Sequence, residues 1–408
     1  MVALLFTLTL FYLGLLFWLG FGLRRPGNTA FGRLPLDRRL LPGVNGNEQQ
    51  TTDDARRMMP TMALIVCAKN EERRLPRFLR ALVRQQYPAD KLEICLVDDR
   101  SRDRTGEIIE AFVAAHSNAA SLRIDDTVPG FAPKKRAIDA AIRRTSGEII
   151  LLTDADAEPG PLWIHEMARA FKPQVVMVCG YSPYFPRQNF WQKILALEYF
   201  SHAAVAAGGS GIGRPLTGVG SNLAYRRDAY FRIGGFDGIA HWISGDDDLL
   251  LHKMRKAQIG EIGYAAHPAA HAPVRPPASW KEFHAQRTRY ASKSLHYAPA
   301  LTLSLALIYL LNLSIGAGIV AIFFAGGKFF IPTAAILLLK AFNEYLYLRR
   351  AAKLFGEEKL LAVFPIAALL HPFYVVYFAA RGQFAKFSWR GEKFTARQNA
   401  EMAEAVVS

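Results

Sequence analysis

The chain has 408 residues, of which 51% are hydrophobic and 21% are charged. This composition excludes a disordered protein, which has low hydrophobicity, and a transporter built almost entirely of apolar spans. With only three cysteines it is not a disulfide scaffold, and 50 basic against 35 acidic residues give it a net charge of +15.

The first predicted element is an apolar helix at Val2–Leu23, which contains no charge and is about as long as a membrane span. A cleaved signal peptide is disfavoured because a basic leading segment and a small-residue cleavage site are both missing. Residues 24–59 form a predicted basic linker. Its arginines favour a cytoplasmic position for this flank: Arg24, Arg25, Arg33, Arg38 and Arg39.

Residues 60–298 alternate short apolar runs with amphipathic segments, which predicts a soluble α/β domain. We expect strands at Met62–Ala68, Leu92–Asp99 and Glu148–Asp156, and helices at Leu75–Pro88, Thr105–Ala115, Lys134–Thr145 and Pro161–Phe171. Strands joined by helices of this length form a mostly parallel, Rossmann-like sheet with right-handed crossovers. Ligands in such sheets bind at the carboxyl ends of the strands.

Residues 299–381 contain three apolar segments, predicted as transmembrane or interfacial helices: Leu301–Ala325, Ile331–Leu348 and Leu360–Ala380. If all three crossed, the basic tail at residues 382–408 would lie outside, against the positive-inside rule. We therefore expect one segment to lie in the interface or to turn back. Ile331–Leu348 is favoured for this, because Lys340, Asn343 and Glu344 interrupt it.

Two acidic motifs follow predicted strands. In VDDRSRDRT, Asp98 and Asp99 end a strand, where a carboxylate can accept the N3–H of a uracil. The alternative is a turn, with Asp103 as a helix cap. In LLTDADAEP, Asp154 and Asp156 offer the hard oxygen ligands that a divalent cation prefers, although a solvated turn can have the same sequence.

A third acidic motif, ISGDDDLLL, places Asp246, Asp247 and Asp248 before a helix. A carboxylate here suits a general base, and the alternative is a set of charges that complements the helix dipole. The glycine-rich GGSGIG at Gly208–Gly213 lacks a phosphate-loop pattern and predicts a flexible loop on the acceptor side.

A fourth motif, QRTRY, precedes the first of the late apolar segments. Gln286 and Arg289 are three residues apart and share a helix face. Arg289 can neutralise a diphosphate, and Tyr290 can stack on a sugar or a base. A basic helix beside a membrane can instead anchor lipid headgroups.

In this order and spacing the motifs resemble the membrane-embedded branch of the family 2 inverting glycosyltransferases, whose catalytic domain has the GT-A fold. The resemblance covers residues 62–290 and the flanking apolar segments. The motifs that carry it are AKNEE (Ala68–Glu72), VDDRSRDRT, KKRAIDAA, TDAD, GSNLAYRR (Gly220–Arg227), GGFD (Gly234–Asp237), GDDDL and QRTRY.

The resemblance implies roles on the donor side. Asp99, with Asp98 beside it, would contact the nucleoside of a nucleotide-sugar, which we expect to be a UDP-sugar. Lys134 would lie near the nucleotide. Asp156, with Asp154, would bind Mg²⁺ or Mn²⁺ and the diphosphate.

The resemblance also implies roles on the acceptor side. Asp247, or else Asp246, would be the catalytic base. Gln286, Arg289 and Tyr290 would hold the diphosphate and the acceptor at the membrane. Three positions depart from the family pattern: Asp139 replaces an Asn, Gly-Asp-Asp-Asp replaces Glu-Asp, and Tyr290 replaces the Trp of Q-x-x-R-W.

The expected function is transfer of a hexose from the nucleotide-sugar to a lipid or lipid-linked hydroxyl, by an integral protein of the inner membrane with a cytoplasmic catalytic domain. Two alternatives stay open: a processive polysaccharide synthase, which the Tyr290 departure disfavours, and an inactive transferase-like membrane scaffold. No nucleic-acid partner is expected, because no RNA or DNA motif is present and much of the positive charge flanks the apolar segments.

Overall fold

The computed structural model describes residues 2–24, 59–292, 297–324, 327–384, 387–389 and 392–394. Nearly all of the predicted linker at 24–59 and most of the predicted tail at 382–408 lie outside the described residues. The strands are β1 (Met62–Ala68), β2 (Leu92–Asp99), β3 (Ala119–Ile124), β4 (Ile149–Asp154), β5 (Val175–Gly180), β6 (Leu223–Arg226), β7 (Glu261–Ala265), β8 (Phe387–Trp389) and β9 (Glu392–Phe394).

Helices connect and cover these strands. They are α1 (Val2–Gly22), α2 (Leu75–Val83), α3 (Thr105–Ala115), α4 (Pro133–Arg144), α5 (Trp163–Arg169), α6 (Phe190–Gly211), α7 (Arg227–Arg232), α8 (Asp248–Ala257), α9 (Trp280–Ala291), α10 (Pro299–Phe324), α11 (Phe330–Phe355) and α12 (Phe364–Phe384). Short 3-10 helices lie at Ala89–Lys91, Pro268–Ala270 and Glu358–Val363.

The main sheet has seven strands in the order β3-β2-β1-β4-β6-β5-β7. Strands β1 to β4 pair in parallel, β6 is antiparallel to both of its neighbours, and β5 pairs in parallel with β7. Since β1, β4 and β5 are covered on both faces, they read as continuous apolar runs and are almost fully buried. The predicted mostly parallel α/β sheet is therefore confirmed. We call residues 59–292 the sheet domain.

The antiparallel direction of β6 determines where the segment before it lies. In an antiparallel pair, the amino end of one strand lies beside the carboxyl end of the other. Leu223, the first residue of β6, pairs with Leu152 near the end of β4. The segment before β6 is therefore brought to the edge of the sheet where β1, β2 and β4 end.

Three helical segments are long and apolar enough to cross a membrane: Leu5–Gly22, Pro299–Ile322 and Glu358–Phe384. This confirms the prediction of apolar helices on both flanks of the sheet domain. Helix α11 has 26 residues, but Lys340 and Glu344 interrupt its apolar sequence. Both side chains are buried, with Lys340 Nζ 2.8 Å from Glu344 Oε1, which also accepts a hydrogen bond from Tyr12 of α1 at 2.5 Å.

The prediction of a flexible loop at Gly208–Gly213 is wrong, because Gly208–Gly211 form the last turn of α6. A Cβ at Gly22 of α1 would lie 1.9 Å from the carbonyl oxygen of Gly208. A Cβ at Gly211 would lie 2.1 Å from the carbonyl oxygen of Gly22. Glycines that let two backbones touch are typical of helix–helix contacts in membranes. The motif joins α1 to α6 and is not a ligand loop.

Candidate active site

The acids that end β2 are buried in a tightly bonded turn. Asp98 Oδ1 accepts a hydrogen bond from the backbone of Ser101 at 3.0 Å, and Asp99 Oδ1 accepts one from Arg100 Nε at 2.8 Å. Asp103 accepts bonds from the backbone and the hydroxyl of Thr105. The turn interpretation of this motif thus holds for Asp103, while Asp98 and Asp99 remain at the carboxyl edge of the sheet.

The end of β4 lies two strands away from Asp98. In the register of the sheet, β1 pairs Ala68 with Asp98 on one side and Cys67 with Asp154 on the other. Two strand spacings amount to roughly 10 Å. Asp156 follows in the turn after β4 and is partly exposed.

Lys134 of α4 joins two of the predicted acidic motifs. Its Nζ lies 2.9 Å from Asp246 Oδ2 and 3.3 Å from Asp154 Oδ1. Burial alone lowers the pKa of Lys134, but Asp154, Asp246 and Asp247 outweigh burial and raise that pKa above its ordinary value. The ammonium is therefore charged at neutral pH and holds two distant segments of the chain together.

The three consecutive acids have different surroundings. Asp246 is paired with Lys134, and its side chain is 10% exposed. Asp248 is buried and accepts a hydrogen bond from Tyr297 OH at 2.6 Å. Asp247 is partly exposed, and it accepts hydrogen bonds from the backbone N–H groups of Asp248 at 2.7 Å and Gly220 at 3.1 Å. Of the three residues, Asp247 is the most exposed.

Gly220 fits this site because it has no side chain. A Cβ there would lie 3.0 Å from Asp246 Oδ2 and 3.4 Å from Lys134 Nζ. The following residue, Ser221, is held to β4 because its carbonyl accepts the hydroxyl of Thr153 at 2.8 Å. The segment before β6 therefore forms one wall of the site.

Lys135 is a site residue that the sequence motifs do not predict. It is fully buried, and its Nζ donates to the carbonyl oxygens of Ile239 at 2.6 Å, Trp242 at 2.7 Å and Ser244 at 3.1 Å. These carbonyls belong to the loop that leads into Asp246. Two adjacent lysines thus have separate tasks, since Lys134 binds the carboxylates and Lys135 fixes the loop that carries them.

The QRTRY motif lies on helix α9, as predicted. Gln286 Oε1 accepts hydrogen bonds from Tyr184 OH at 3.0 Å and from Arg287 Nη1 at 3.0 Å. The guanidinium of Arg289 lies 5.2 Å from the ring centre of Tyr290. Tyr297, which lies between α9 and α10, donates a hydrogen bond to Asp248 at 2.6 Å, so the segment before α10 contacts the third acidic motif.

Arg287, within the same motif, was also missed. Its side chain is 1% exposed and pairs with Glu198 of α6, while the rings of Tyr184 and Tyr199 surround the guanidinium. Burial raises the pKa of Glu198, but the charge of Arg287 reverses this effect, and the pKa lies below its ordinary value. Only the tertiary fold distinguishes this buried arginine from the predicted Arg289.

The carboxylate oxygens of the site are partly suited to bind a divalent cation. Asp154 keeps 34% of its side chain exposed although Lys134 is near, and Asp156 is partly exposed in the next turn. Two partly exposed carboxylates suit Mg²⁺ or Mn²⁺, which bind proteins through few carboxylates and take phosphate oxygens as further ligands. Within the described ranges, no three His, Cys, Asp or Glu side chains form a ready-made metal site.

Two family models match the chain. One, described as glycosyl transferase family group 2, matches residues 149–380, and one described as glycosyl transferase family 2 matches residues 63–233. The probable glycosyltransferase YdaM of Bacillus subtilis (strain 168) is 26% identical over 241 residues, which cover 57% of this chain and 55% of that protein.

A second relative is a beta-monoglucosyldiacylglycerol synthase of Trichormus variabilis. It is 28% identical over 192 residues, which cover 44% of this chain and 38% of that protein. The chain therefore spans between 38% and 55% of the length of these two relatives.

Among solved structures, the mannosyltransferase PcManGT from Pyrobaculum calidifontis, in complex with GDP-Man and Mn²⁺, is similar with a TM-score of 0.53. It shares 20% sequence identity, and the match covers 91% of this chain and 99% of that one. At this identity the likeness concerns the fold alone. It confirms the predicted GT-A type of α/β sheet.

Proposed function

Because the chain belongs to family 2 of the glycosyltransferases, we propose that it transfers a hexose from a nucleotide-sugar to the hydroxyl of a lipid or lipid-linked acceptor. The observation that carries this proposal is the cluster of Asp154, Lys134, Asp246 and Asp247 at the carboxyl edge of the sheet. The same cluster is tied through Tyr297 to the residues that precede α10.

On the donor side, the buried acids at the end of β2 receive the nucleoside, with Asp99 as the principal contact and Asp98 holding the turn. A UDP-sugar is the favoured donor because a carboxylate accepts the N3–H of uracil. Lys134 supplies positive charge beside the diphosphate. Asp154 and Asp156 would hold Mg²⁺ or Mn²⁺, which neutralises charge on the leaving diphosphate when it is bound.

On the acceptor side, Asp247 removes the proton from the attacking hydroxyl. The oxygen forms a bond to the anomeric carbon while the bond from that carbon to the diphosphate oxygen breaks on the opposite face. The proton ends on the carboxylate of Asp247, and the diphosphate leaves with the bonding electrons. One displacement of this kind inverts the anomeric configuration. Asp246 is less suited to this role because Lys134 already pairs with it.

A lipid acceptor is supported by the apolar helices around the sheet domain and by α9. The relative from Trichormus variabilis is named as a synthase of monoglucosyldiacylglycerol, a lipid. Gln286, Arg289 and Tyr290 would hold the acceptor and the diphosphate where α9 meets these helices. The positive-inside rule favours the cytoplasmic face of the inner membrane for the sheet domain.

The test is transfer of radiolabelled sugar in membranes that contain the protein, followed by extraction with organic solvent. Label in the organic phase supports a lipid product, while a large water-soluble product would establish the polysaccharide synthase instead. No transfer, together with no binding of UDP with or without Mn²⁺, would favour the inactive scaffold. Membranes that contain Asp247→Asn are the matched control.

A further inference from the structure

Helix α12 begins against the sheet domain. Just before it, Glu357 forms a two-pronged ion pair with Arg187, at 2.5 and 2.6 Å. Leu360 and Val363, in the 3-10 helix that leads into α12, are both buried. The first residue of α12, Phe364, is also buried. The amino end of the helix is therefore fixed to the domain.

The middle and the carboxyl end of α12 also contact the sheet domain. Tyr374 OH donates to Glu198 Oε1 of α6 at 2.6 Å. Near the end, Gln383 Nε2 donates to the carbonyl of Ala291, the last residue of α9, at 3.0 Å. A Cβ at Gly382 would lie 2.5 Å from the Cβ of Ala291, so the two helices are in close contact there.

The length of α12 makes these contacts decisive. Its 21 residues span about 31 Å, which is enough to cross the hydrocarbon core of a bilayer. A helix that crosses a membrane keeps only one end beside a domain on one side of it. Since α12 contacts the sheet domain at both ends and in the middle, its axis runs along the surface of that domain.

The outer face of α12 is apolar except at Arg381, which is exposed on the same side near the end of the helix. A single stripe of exposed side chains runs along it, and the residues that pack inward lie on the other side. The stripe consists of Ile366, Leu369, Leu370, Phe373, Tyr377 and Phe384. Phe373 also lies next to α10, because a Cβ on Gly316 would be 3.9 Å from its ring. The stripe therefore faces the same surroundings as α10, which is apolar and long enough to span a membrane.

We propose that α12 lies flat in the membrane interface, with this stripe inserted among the lipids, and that α1, α10 and α11 are the segments that cross. Helix α11 can cross despite its charges, because Lys340 pairs with Glu344, which also accepts a hydrogen bond from Tyr12 inside the helix bundle. This assignment differs from the sequence-based expectation, which favoured Ile331–Leu348 as the exception. It leaves the basic tail on the same side as the sheet domain.

The inference rests on the proposed function only in that the sheet domain lies at a membrane. An in-plane α12 beside α9 would make the lipid-facing border of the site, where a lipid hydroxyl can approach without leaving the bilayer. Amphipathic helices of this kind insert their apolar face about 5–10 Å into the headgroup boundary.

The experiment measures the depth of single positions in the bilayer. The full chain, with one added cysteine at Ile366, Leu370 or Phe384, is labelled with an environment-sensitive fluorophore. It is reconstituted in vesicles of phosphatidylethanolamine and phosphatidylglycerol that contain phosphatidylcholine spin-labelled at the headgroup or along the acyl chain. The unsubstituted chain, whose Cys67, Cys95 and Cys179 are buried, gives the background labelling.

We expect the same shallow quenching depth at all three positions. A crossing helix would instead show a steady change that reaches about 27 Å between Ile366 and Phe384, at about 1.5 Å per residue. Such a gradient would overturn the inference, and so would a stripe that no lipid quencher reaches. Labels at Leu303, Leu310 and Val320, exposed on α10, provide the matched helix for which we expect a gradient.

The result does not depend on activity. A flat α12 in a protein that transfers sugar to no lipid would keep this inference while refuting the proposed function. A gradient of quenching depth along α12, in a protein that does transfer sugar to a lipid, would refute this inference and keep the proposed function. Gel filtration of each labelled protein before reconstitution confirms that the added cysteine leaves it folded.

Discussion

Replacing Asp247 by asparagine removes the charge of the proposed base and keeps the size of its side chain. In the folded chain, the two oxygens of Asp247 accept hydrogen bonds from the backbone N–H groups of Asp248 and Gly220. Asparagine has one acceptor oxygen, so one of these two N–H groups loses its partner. The cost to the free energy of unfolding is about 1–3 kcal/mol.

The expected effect on catalysis is larger. A general base contributes about 10²–10⁴ in rate, which corresponds to about 2.7–5.4 kcal/mol in the activation free energy. Because domains of this kind unfold with about 5–15 kcal/mol, the variant stays folded. We therefore expect Asp247→Asn to bind the nucleotide-sugar as the parent does and to transfer sugar at least about a hundredfold more slowly.

The assay is single-turnover transfer of labelled sugar in vesicles, with donor binding measured separately on the same preparation. The matched control is Asp246→Asn, which removes the partner of Lys134 and is expected to weaken donor binding more than it slows the chemical step. Parental turnover in Asp247→Asn would refute the assignment. If Asp247→Asn kept parental turnover and Asp246→Asn were inactive with normal donor binding, the base would be Asp246.

Three further changes test the packing around the site. Glu198→Gln leaves the buried Arg287 without a counter-charge and should lower the free energy of unfolding at pH 7 by about 3–5 kcal/mol, measured by denaturant titration in detergent. In the folded chain the pKa of Glu198 lies below its ordinary value. The charged Glu198 therefore stabilises the fold fully at pH values above the pKa of the unfolded chain, and this stabilisation is lost as the pH falls through the pKa of the folded chain. If Glu198→Gln lowered the free energy of unfolding equally at pH 3 and pH 7, this reasoning would be wrong. Lys135→Met frees the loop before Asp246 and should lower the transfer rate at least about tenfold while donor binding persists, since misplacing a catalytic group is costly; an unchanged rate would show that the loop needs no such anchor. Gly22→Leu should separate α1 from α6 and lower the melting temperature, whereas Gly14→Leu, where a Cβ meets nothing within 4 Å, should not; equal melting temperatures would argue against close packing of the two helices.

Much of the fold follows from the sequence because it depends on local patterns. Buried parallel strands have continuous apolar runs, and amphipathic helices separate them, so β1, β2 and β4 could be located almost to the residue. The parallel direction of these strands also implies that Asp98 and Asp154 share one edge of the sheet. The order of the acidic motifs was sufficient to suggest the family, which the family models now establish.

The parts of the site that the sequence did not predict depend on partners far along the chain. Lys135 bonds to carbonyls more than a hundred residues away, and Arg287 pairs with Glu198 eighty-nine residues earlier. A lysine or an arginine on an amphipathic helix has the same sequence pattern whether it is buried or exposed. The pattern therefore could not separate Arg287 from Arg289.

The sequence by itself determined which segments are apolar and which acids follow strands, because hydrophobic burial and strand ends depend on residues that are close in the chain. Only the tertiary structure decided which of the three acids at Asp246–Asp248 stays accessible, since Lys134 and Tyr297 engage the other two. It also decided that both ends of α12 contact the sheet domain. Hydropathy measures how apolar a helix is, whereas the direction of that helix is set by the surfaces against which its two ends pack.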